Sequence, residues 1–159
     1  VEIDDSANVY MTGTNDNLVP NNRRFATVKY DSAGNQKWSV IHNSSEAFAN
    51  DIAVDKNHNV YVLGRILNGS IFDYTIVKYD IDGIQQWTAV YDSALTFSFP
   101  TSYIAADRLN NIFCNCSSHF CAFFRISRLP GPEVNAAEMR AAKNRLSIFR
   151  LQSQGGRLS

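Results

Sequence analysis

The chain has 159 residues, of which 45% are apolar and 19% charged, and its acidic and basic side chains are equal in number. This length supports one domain with a buried core, and this composition excludes a disordered chain. No apolar run approaches the length of a membrane span, and the balanced charge gives no indication of a nucleic-acid partner.

The chain is built from a repeat of about fifty residues. The line NVYMTG at residues 8–13 returns as NVYVLG at 59–64 and, eroded, as NIFCNC at 111–116. The line VKYD, with a Gly and a Trp after it, occupies 28–38 and returns at 77–87. A unit of this size cannot bury its own apolar faces, so the copies are expected to stack on one another.

The chain opens at Val1 inside a repeat. We therefore expect that the full-length protein has further residues before Val1. For the same reason, the lack of a signal peptide in this sequence says nothing about its compartment.

Four short strands are predicted in the second copy from runs of alternating apolar and polar residues. They lie at 51–55, 59–64, 74–80 and 85–91, with turns at 56–58 and 81–83 and a loop at 65–73. In the third strand, alternation predicts one face with Thr75, Val77 and Tyr79 and an opposite face with Tyr74, Ile76 and Lys78.

A meander of four antiparallel strands with apolar residues on both faces must be covered on both sides. Radial stacking of such sheets, the β-propeller, achieves this. A parallel β-helix is the main competitor, but its coils are usually shorter than fifty residues. The predicted fold is therefore all-β: an incomplete β-propeller of about two and a half four-stranded blades, at 1–42, 51–91 and (degenerate) 103–128. Its open edges and flanks should make the isolated chain prone to associate.

Recurring aspartates precede an asparagine by four residues, at Asp4, Asp55 and Asp107. The D-x-N-x-N pattern at 55–59 resembles the start of a calcium loop, but the Gly and the distant Glu of that loop are missing. A hairpin turn is favoured, in which Asp accepts backbone N–H groups and Asn adopts left-handed backbone. The D-x-x-G segments at 31–34 and 80–83 are also interpreted as turns, although Asp80 and Asp82 form the better cation candidate.

Trp38 and Trp87 follow the turn glycines by four residues. Each could be a platform for ligand stacking, but recurrence favours a wedge that packs between blades. Lys29 and Lys78 interrupt otherwise apolar strands, either to face a central channel or to pair with a neighbouring Asp.

Cysteine appears three times in eight residues of the third copy, and with His119 it forms a cluster of potential zinc ligands: Cys114, Cys116, His119 and Cys121. The spacing is tighter than in familiar zinc patterns, and no second ligand pair follows. We therefore predict no metal site, with Cys114 and Cys116 on one face of a degenerate strand.

The last residues, 129–159, form a basic tail, since residues 125–159 hold 7 Lys or Arg against 2 Asp or Glu. A helix is predicted at about 133–150, because Pro132 stands where a helix can begin and strong helix formers follow. This helix would suit an acidic partner or an anionic membrane surface. The favoured interpretation is instead a terminal appendage, or residues that are not native to the repeat protein, because the tail begins where the repeat fails.

Over about residues 1–113, the lines AVDKNHNVYVLG, TIVKYDIDGIQQW and TVKYDSAGNQKW resemble the secreted bacterial β-propeller (SBBP) repeat. The matching positions of the second copy are Asp55, Asn59, Tyr61, Gly64, Lys78, Tyr79, Asp80, Gly83 and Trp87. In the family pattern a Gly precedes the Asn of the first conserved line. In this chain that position is occupied by Ala7, His58 and Asn110. The resemblance implies a structural module of an exported or cell-surface bacterial protein, whose partners are further blades of the same full-length protein, and it supplies no catalytic residue.

No Ser-His-Asp order, nucleophile elbow, phosphate loop or His-Glu-x-x-His motif occurs in the sequence. We therefore predict no catalytic, cofactor-binding or metal-binding residue and no cofactor. The predicted function is a non-enzymatic scaffold or interaction module, located outside the cell or on its surface. The alternatives are a fragment of a propeller enzyme, such as a quinoprotein dehydrogenase, or a carbohydrate-binding propeller with its site in missing blades.

Overall fold

A computed structural model of the chain describes residues 1–16, 22–42, 46–91, 102–107, 110–116 and 124–126, with backbone alone at 91, 115–116 and 124–126. Within this part of the chain the structure is all-β, and no helix is long and apolar enough to cross a membrane. The predicted helix at about 133–150 lies outside the described residues.

The described strands form three antiparallel meander sheets. The first sheet contains β1 (Glu2–Ile3), β2 (Val9–Asn15), β3 (Arg24–Tyr30) and β4 (Gln36–Ile41). The second contains β5 (Ala47–Val54), β6 (Val60–Asn68), β7 (Ile71–Tyr79) and β8 (Gln85–Tyr91). The third contains β9 (Ser102–Ala106), β10 (Ile112–Cys116) and β11 (Phe124–Ile126). The predicted four-stranded antiparallel sheet is thus confirmed in the first two copies.

Two strands of the second sheet are longer than the sequence predicts. The predicted loop at 65–73 is wrong, because β6 and β7 continue through it as a paired hairpin that turns at Gly69 and Ser70. The predicted strand at 51–55 begins earlier, at Ala47, and the register shifts between Ala49 and Asp51. Such a bulge interrupts the alternation of faces, so the residues before it do not continue the pattern after it.

One turn geometry joins the strands at five places, beginning at Asp4, Asp31, Asp55, Asp80 and Asp107. The first N–H of each turn donates to the carbonyl four residues on, and the fourth N–H donates back to the Asp carbonyl. The fourth residue is left-handed, with φ between 58° and 84°. This is the hairpin in which a type I turn precedes a left-handed residue.

In these five turns the left-handed residues are Ala7, Gly34, His58, Gly83 and Asn110. Three of them, Ala7, His58 and Asn110, stand where the repeat usually has Gly. The predicted left-handed role of the following asparagines is therefore wrong. Asn8, Asn59 and Asn111 instead donate their side-chain amides to the turn aspartate.

The sheets stack so that the first strand of each later sheet lies against the preceding sheet: β5 contacts β2 and β3, and β9 contacts β5 and β6. The first junction buries Tyr10, Phe25, Ala47, Ile52, Val60, Val62, Val77 and Tyr79. The second junction buries Ala53, Tyr61, Leu63, Ile76, Ile104, Ile112 and Cys114. Val77 and Tyr79 therefore face the first sheet and Ile76 faces the third, as alternation predicts. The described sheets form an open stack, not a closed ring.

Trp38 of the first sheet lies on the β7–β8 turn of the second sheet. Its indole Nε1–H donates to the Ile81 carbonyl over 2.9 Å. A Cβ added at Gly83 would lie 2.8 Å from Trp38 Cδ2, which is closer than packed atoms approach. At the equivalent Gly34, an added Cβ would meet nothing within 4 Å. The predicted Trp38 wedge is therefore present, and Gly83 is required by packing as well as by backbone conformation.

Gly83→Ala should destabilise the chain more than Gly34→Ala. Both substitutions place a Cβ in left-handed backbone, at a cost of about 1–2 kcal/mol each. Only Gly83→Ala also displaces the Trp38 indole, which adds about 1–3 kcal/mol. Denaturant unfolding of the two variants measures the difference, and equal losses of unfolding free energy would contradict the wedge.

Candidate functional site

The recurring side chains of each copy converge on one row that crosses its sheet. In the first sheet, Tyr10 on β2 pairs with Lys29 on β3, which pairs with Trp38 on β4. In the second sheet, Tyr61 pairs with Lys78, which pairs with Trp87. Because facing residues of neighbouring strands point to the same side of a sheet, each row presents its side chains to the next sheet in the stack.

The two rows have nearly the same geometry. The ring centroids of Tyr10 and Trp38 lie 6.2 Å apart with an interplanar angle of 58°, and those of Tyr61 and Trp87 lie 6.0 Å apart at 59°. The predicted equivalence of the aromatic landmarks is therefore confirmed. Tilted aromatic pairs of this kind add about 0.5–1.5 kcal/mol beyond the area that they bury.

The lysine of each row lies over the tyrosine ring. The ammonium Nζ of Lys29 is 5.1 Å from the centroid of Tyr10, and that of Lys78 is 5.4 Å from the centroid of Tyr61. These distances are those of cation–π contacts, which are stronger where water is excluded. The Lys29 residue is only 6% exposed. This contact explains how a lysine is accommodated in an otherwise apolar strand.

The hydroxyl group of each row tyrosine donates to the turn aspartate of its own sheet. Tyr10 Oη lies 2.9 Å from Asp4 Oδ2, and Tyr61 Oη lies 3.1 Å from Asp55 Oδ2. The carboxylate also accepts backbone N–H groups of its turn, as the sequence predicts for Asp4 and Asp55. Each aspartate thus connects a turn to the aromatic row. Burial raises the pKa of both tyrosines, and the nearby aspartate raises it further.

One group of potential metal ligands comes together among the described residues: Asp4, Asp5 and His58, whose ligand atoms lie within 4.8 Å of one another. His58 belongs to the second sheet, and its Nδ1 is 2.9 Å from Asp4 Oδ2. Its Nε2 is 3.8 Å from Asp5 Oδ1. The sequence does not predict this group, because His58 and Asp4 belong to different copies of the repeat and occupy non-equivalent positions in them.

The lone pairs of Asp4 are already used by the protein. Its Oδ1 accepts the N–H groups of Ser6 and Asn8. Its Oδ2 accepts hydrogen bonds from the amide of Asn8, the hydroxyl of Tyr10 and Nδ1 of His58. Because an ionised carboxylate can only accept, the Nδ1 atom of His58 carries the proton of this hydrogen bond. Five donors on a carboxylate with about four lone-pair sites leave no open position for an ion. The chemistry that this arrangement supports is a hydrogen-bonded link between two sheets.

Burial alone would raise the pKa of Asp4, but the hydrogen bonds from Asn8, Tyr10 and His58 outweigh burial and lower the pKa from 3.8 to about 2. Asp4 therefore stays ionised over the physiological range. A permanently ionised acceptor suits a structural link and does not suit a proton donor or a general base that works near neutral pH.

The predicted cysteine cluster is described only in part. Cys114 is 5% exposed and packs in the second junction. The side chain of Cys116, and the whole of His119 and Cys121, lie outside the described residues. Cys114 thus lies on a strand, as predicted, and its side chain faces the second sheet.

The opposite end of the sheets carries charged and aromatic residues that the sequence does not single out. Arg23 Nη1 lies 2.7 Å from Oε1 of the buried Glu46, and so connects the first sheet to the start of the second. The Arg65 guanidinium lies 4.8 Å from the ring centroid of Phe48 and 5.2 Å from that of Phe72. Because these residues do not recur between copies, repeat analysis gives no signal for them.

In comparisons with known proteins, no family model and no curated protein matches this chain. Its function is therefore inferred from its own residues. Among the described side chains, the recurring ones include the turn aspartates and the tyrosine and lysine of each row, and each of these contacts the protein itself.

Tyr61→Phe should lower the free energy of unfolding by about 1–2 kcal/mol, because it removes a buried hydrogen bond to the side chain of Asp55. Tyr79→Phe is the matched control, since the Tyr79 hydroxyl is buried and has no hydrogen-bond partner among the described residues. Removing that hydroxyl should be neutral or slightly stabilising. Urea unfolding of both variants tests this prediction, and equal effects of the two substitutions would contradict it.

The folded chain should lose stability in acid through Asp4. The folded pKa is about 2 and the unfolded value is 3.8, so the contribution is present above pH 3.8 and is lost as the pH falls toward 2. Its size is on the order of 2 kcal/mol, since a shift of one pKa unit corresponds to about 1.4 kcal/mol. Unfolding free energies between pH 2 and 6 should show a shallower acid loss in Asp4→Asn than in the unaltered chain. Asp5→Asn, at an exposed neighbour, should leave the slope nearly unchanged.

Proposed function

We propose that this chain is a non-enzymatic repeat module of the SBBP type and that it forms part of a β-propeller in an exported or cell-surface protein. Its role is that of a scaffold or a protein-interaction module. Its first partners are further blades of the same full-length protein.

One observation carries this proposal: the recurring residues of the turns and of the rows build and join the sheets. The turn aspartates accept hydrogen bonds from their own turns, and the row tyrosines donate to those aspartates. The tryptophans pack against the row tyrosines. A catalytic group needs an open position beside the reacting atoms. In the described part of the chain, the recurring groups occupy contacts within or between sheets instead.

The stacking direction supports the propeller. Each later sheet places its first strand against the preceding sheet, and the same row of side chains lies at each junction. Repeated sheets that stack with one geometry build a ring when enough of them are present, and known propellers contain about four to eight. Export and the cell-surface location rest on the resemblance to secreted repeats.

The full chain should neither turn over substrates nor bind glycans. Incubation with esterase, phosphatase, glycosidase and quinone-linked dehydrogenase substrates, together with a glycan array, is expected to give no turnover and no retention. Asp55→Asn should lower the unfolding free energy by about 1–2 kcal/mol, because a neutral amide is a weaker acceptor for the donors of Tyr61 and Asn59. Asp82→Asn, at an exposed residue of another turn, is the control and should change it little.

An enzymatic or lectin function would give a different pattern. Turnover or glycan binding that disappears in Asp55→Asn, while the circular dichroism spectrum and melting temperature stay unchanged, would overturn the scaffold proposal. Detection of the full-length protein only in the cytosolic fraction of its source cells would overturn the proposed location.

A further inference from the structure

The outer face of the first sheet is only partly covered, although most of its equivalents in the second sheet form core. We define this outer face by Ile3, Val9, Met11, Val28 and Tyr30, which correspond to Val54, Val60, Val62, Val77 and Tyr79. Ile3 is 63% exposed, and Tyr30 and Val28 are half-buried. Tyr79 is 2% exposed, and Val77 is fully buried. The first sheet thus leaves only partly covered a set of apolar side chains whose equivalents in the second sheet pack at the first junction.

Gly34 gives the same indication. Its equivalent, Gly83, is covered by the indole of Trp38. Gly34 has the same left-handed backbone, with φ of 84°, but nothing lies within 4 Å of its added Cβ. At the first junction, the second sheet contacts the first sheet through its apolar face and the turn at Gly83. The first sheet has the same face and the same turn on its own outer side, where the turn is uncovered.

The outer face of the third sheet carries part of the complementary pattern, at two of the positions that receive a neighbouring sheet. Ile112 and Cys114 point toward the second sheet, so alternation places Phe113 on the other side, paired with Ala105. These two residues correspond to Tyr61 and Ala53, which the third sheet covers in the second junction. Tyr103 lies on the same outer face and is 60% exposed. This face is therefore the type of surface that receives the first strand of another sheet.

We propose that two copies of this chain associate head to tail, with the outer face of the third sheet of one copy on the outer face of the first sheet of the other. The association continues the stack that already exists within the chain, where faces of these two types meet at both internal junctions. The proposal rests on the proposed function as a stacking repeat module. It identifies a second copy as a partner that fits these two faces.

The stoichiometry favours a closed dimer. Each copy supplies three described sheets, so two copies supply six, which falls within the range of about four to eight blades in closed propellers. Two identical head-to-tail junctions related by a twofold axis would close the described sheets of both copies into one ring. The dimer mass is twice 17.8 kDa.

Sedimentation velocity of the full chain, over about 1–200 μM, tests the association. We expect a shift from monomer to dimer as concentration rises. Ile3→Lys and Tyr103→Lys should each weaken dimerisation at least about tenfold, because each buries an unpaired charge in the junction. Ile84→Lys is the matched control: Ile84 is 62% exposed, close to the 63% of Ile3, and lies in the turn after Gly83, away from both outer faces.

Mixing the two weakened variants identifies the orientation. Ile3→Lys keeps an intact third-sheet face, and Tyr103→Lys keeps an intact first-sheet face, so an equimolar mixture should recover one junction and form a heterodimer. If first-sheet faces paired with each other instead, Tyr103→Lys would still dimerise and the mixture would recover nothing beyond that. That result would overturn the head-to-tail arrangement.

Other outcomes also decide against the association. A chain that remains monomeric over the whole range, or a dimer that Ile84→Lys weakens as much as Ile3→Lys does, overturns it. Either result leaves the proposed function standing if the chain folds cooperatively and shows no turnover or glycan binding. Turnover that depends on Asp55 would overturn the proposed function without reference to mass, so the two failures are distinguishable.

Discussion

A sheet that carries apolar side chains on both faces must be covered on both sides, and the rest of this structure depends on that constraint. Val77 and Ile76 are neighbours in sequence, yet one is buried against the first sheet and the other against the third. Burial of each such side chain contributes about 1.5–3 kcal/mol relative to exposure in water. One isolated copy of the repeat would have neither face covered, so stability comes from the junctions between copies.

Polar recurring residues make these junctions specific. A tyrosine has an apolar ring and a polar end, so Tyr10 and Tyr61 fill a junction while their hydroxyl groups reach a turn aspartate. Burial alone would raise the pKa of Asp4, but the hydrogen bonds from Asn8, Tyr10 and His58 lower it, so that Asp4 stays ionised. The result connects the turn at the end of the strands to the packing between sheets. If one sheet were displaced along its neighbour, the tyrosines would lose their packing at the junction and their hydrogen bonds to the turn aspartates together. This explains why the recurring positions include polar residues as well as apolar ones.

Repetition explains which parts of the architecture could be predicted. The strand order, the opposite faces of Val77 and Ile76, the turn role of Asp55 and the wedge role of Trp38 all follow from spacing and alternation. The full length of β5 could not be predicted, because the bulge between Ala49 and Asp51 breaks the alternation. The hairpin at 65–73 reads as a loop because its Asn, Gly and charged residues are typical of loops, while its backbone forms a complete ladder. Tertiary pairing overrides local propensity there.

By itself, the sequence determined that copies of one antiparallel sheet succeed one another along the chain and that both faces of each are made to be covered. These properties are local, since they depend on residue spacing within a copy. Only the tertiary structure decided which atoms meet between copies: the indole of Trp38 on Gly83 and the imidazole of His58 on Asp4. Contacts between copies depend on how the sheets are placed in space, and repeat spacing carries no information about a residue such as His58 that occurs in one copy alone.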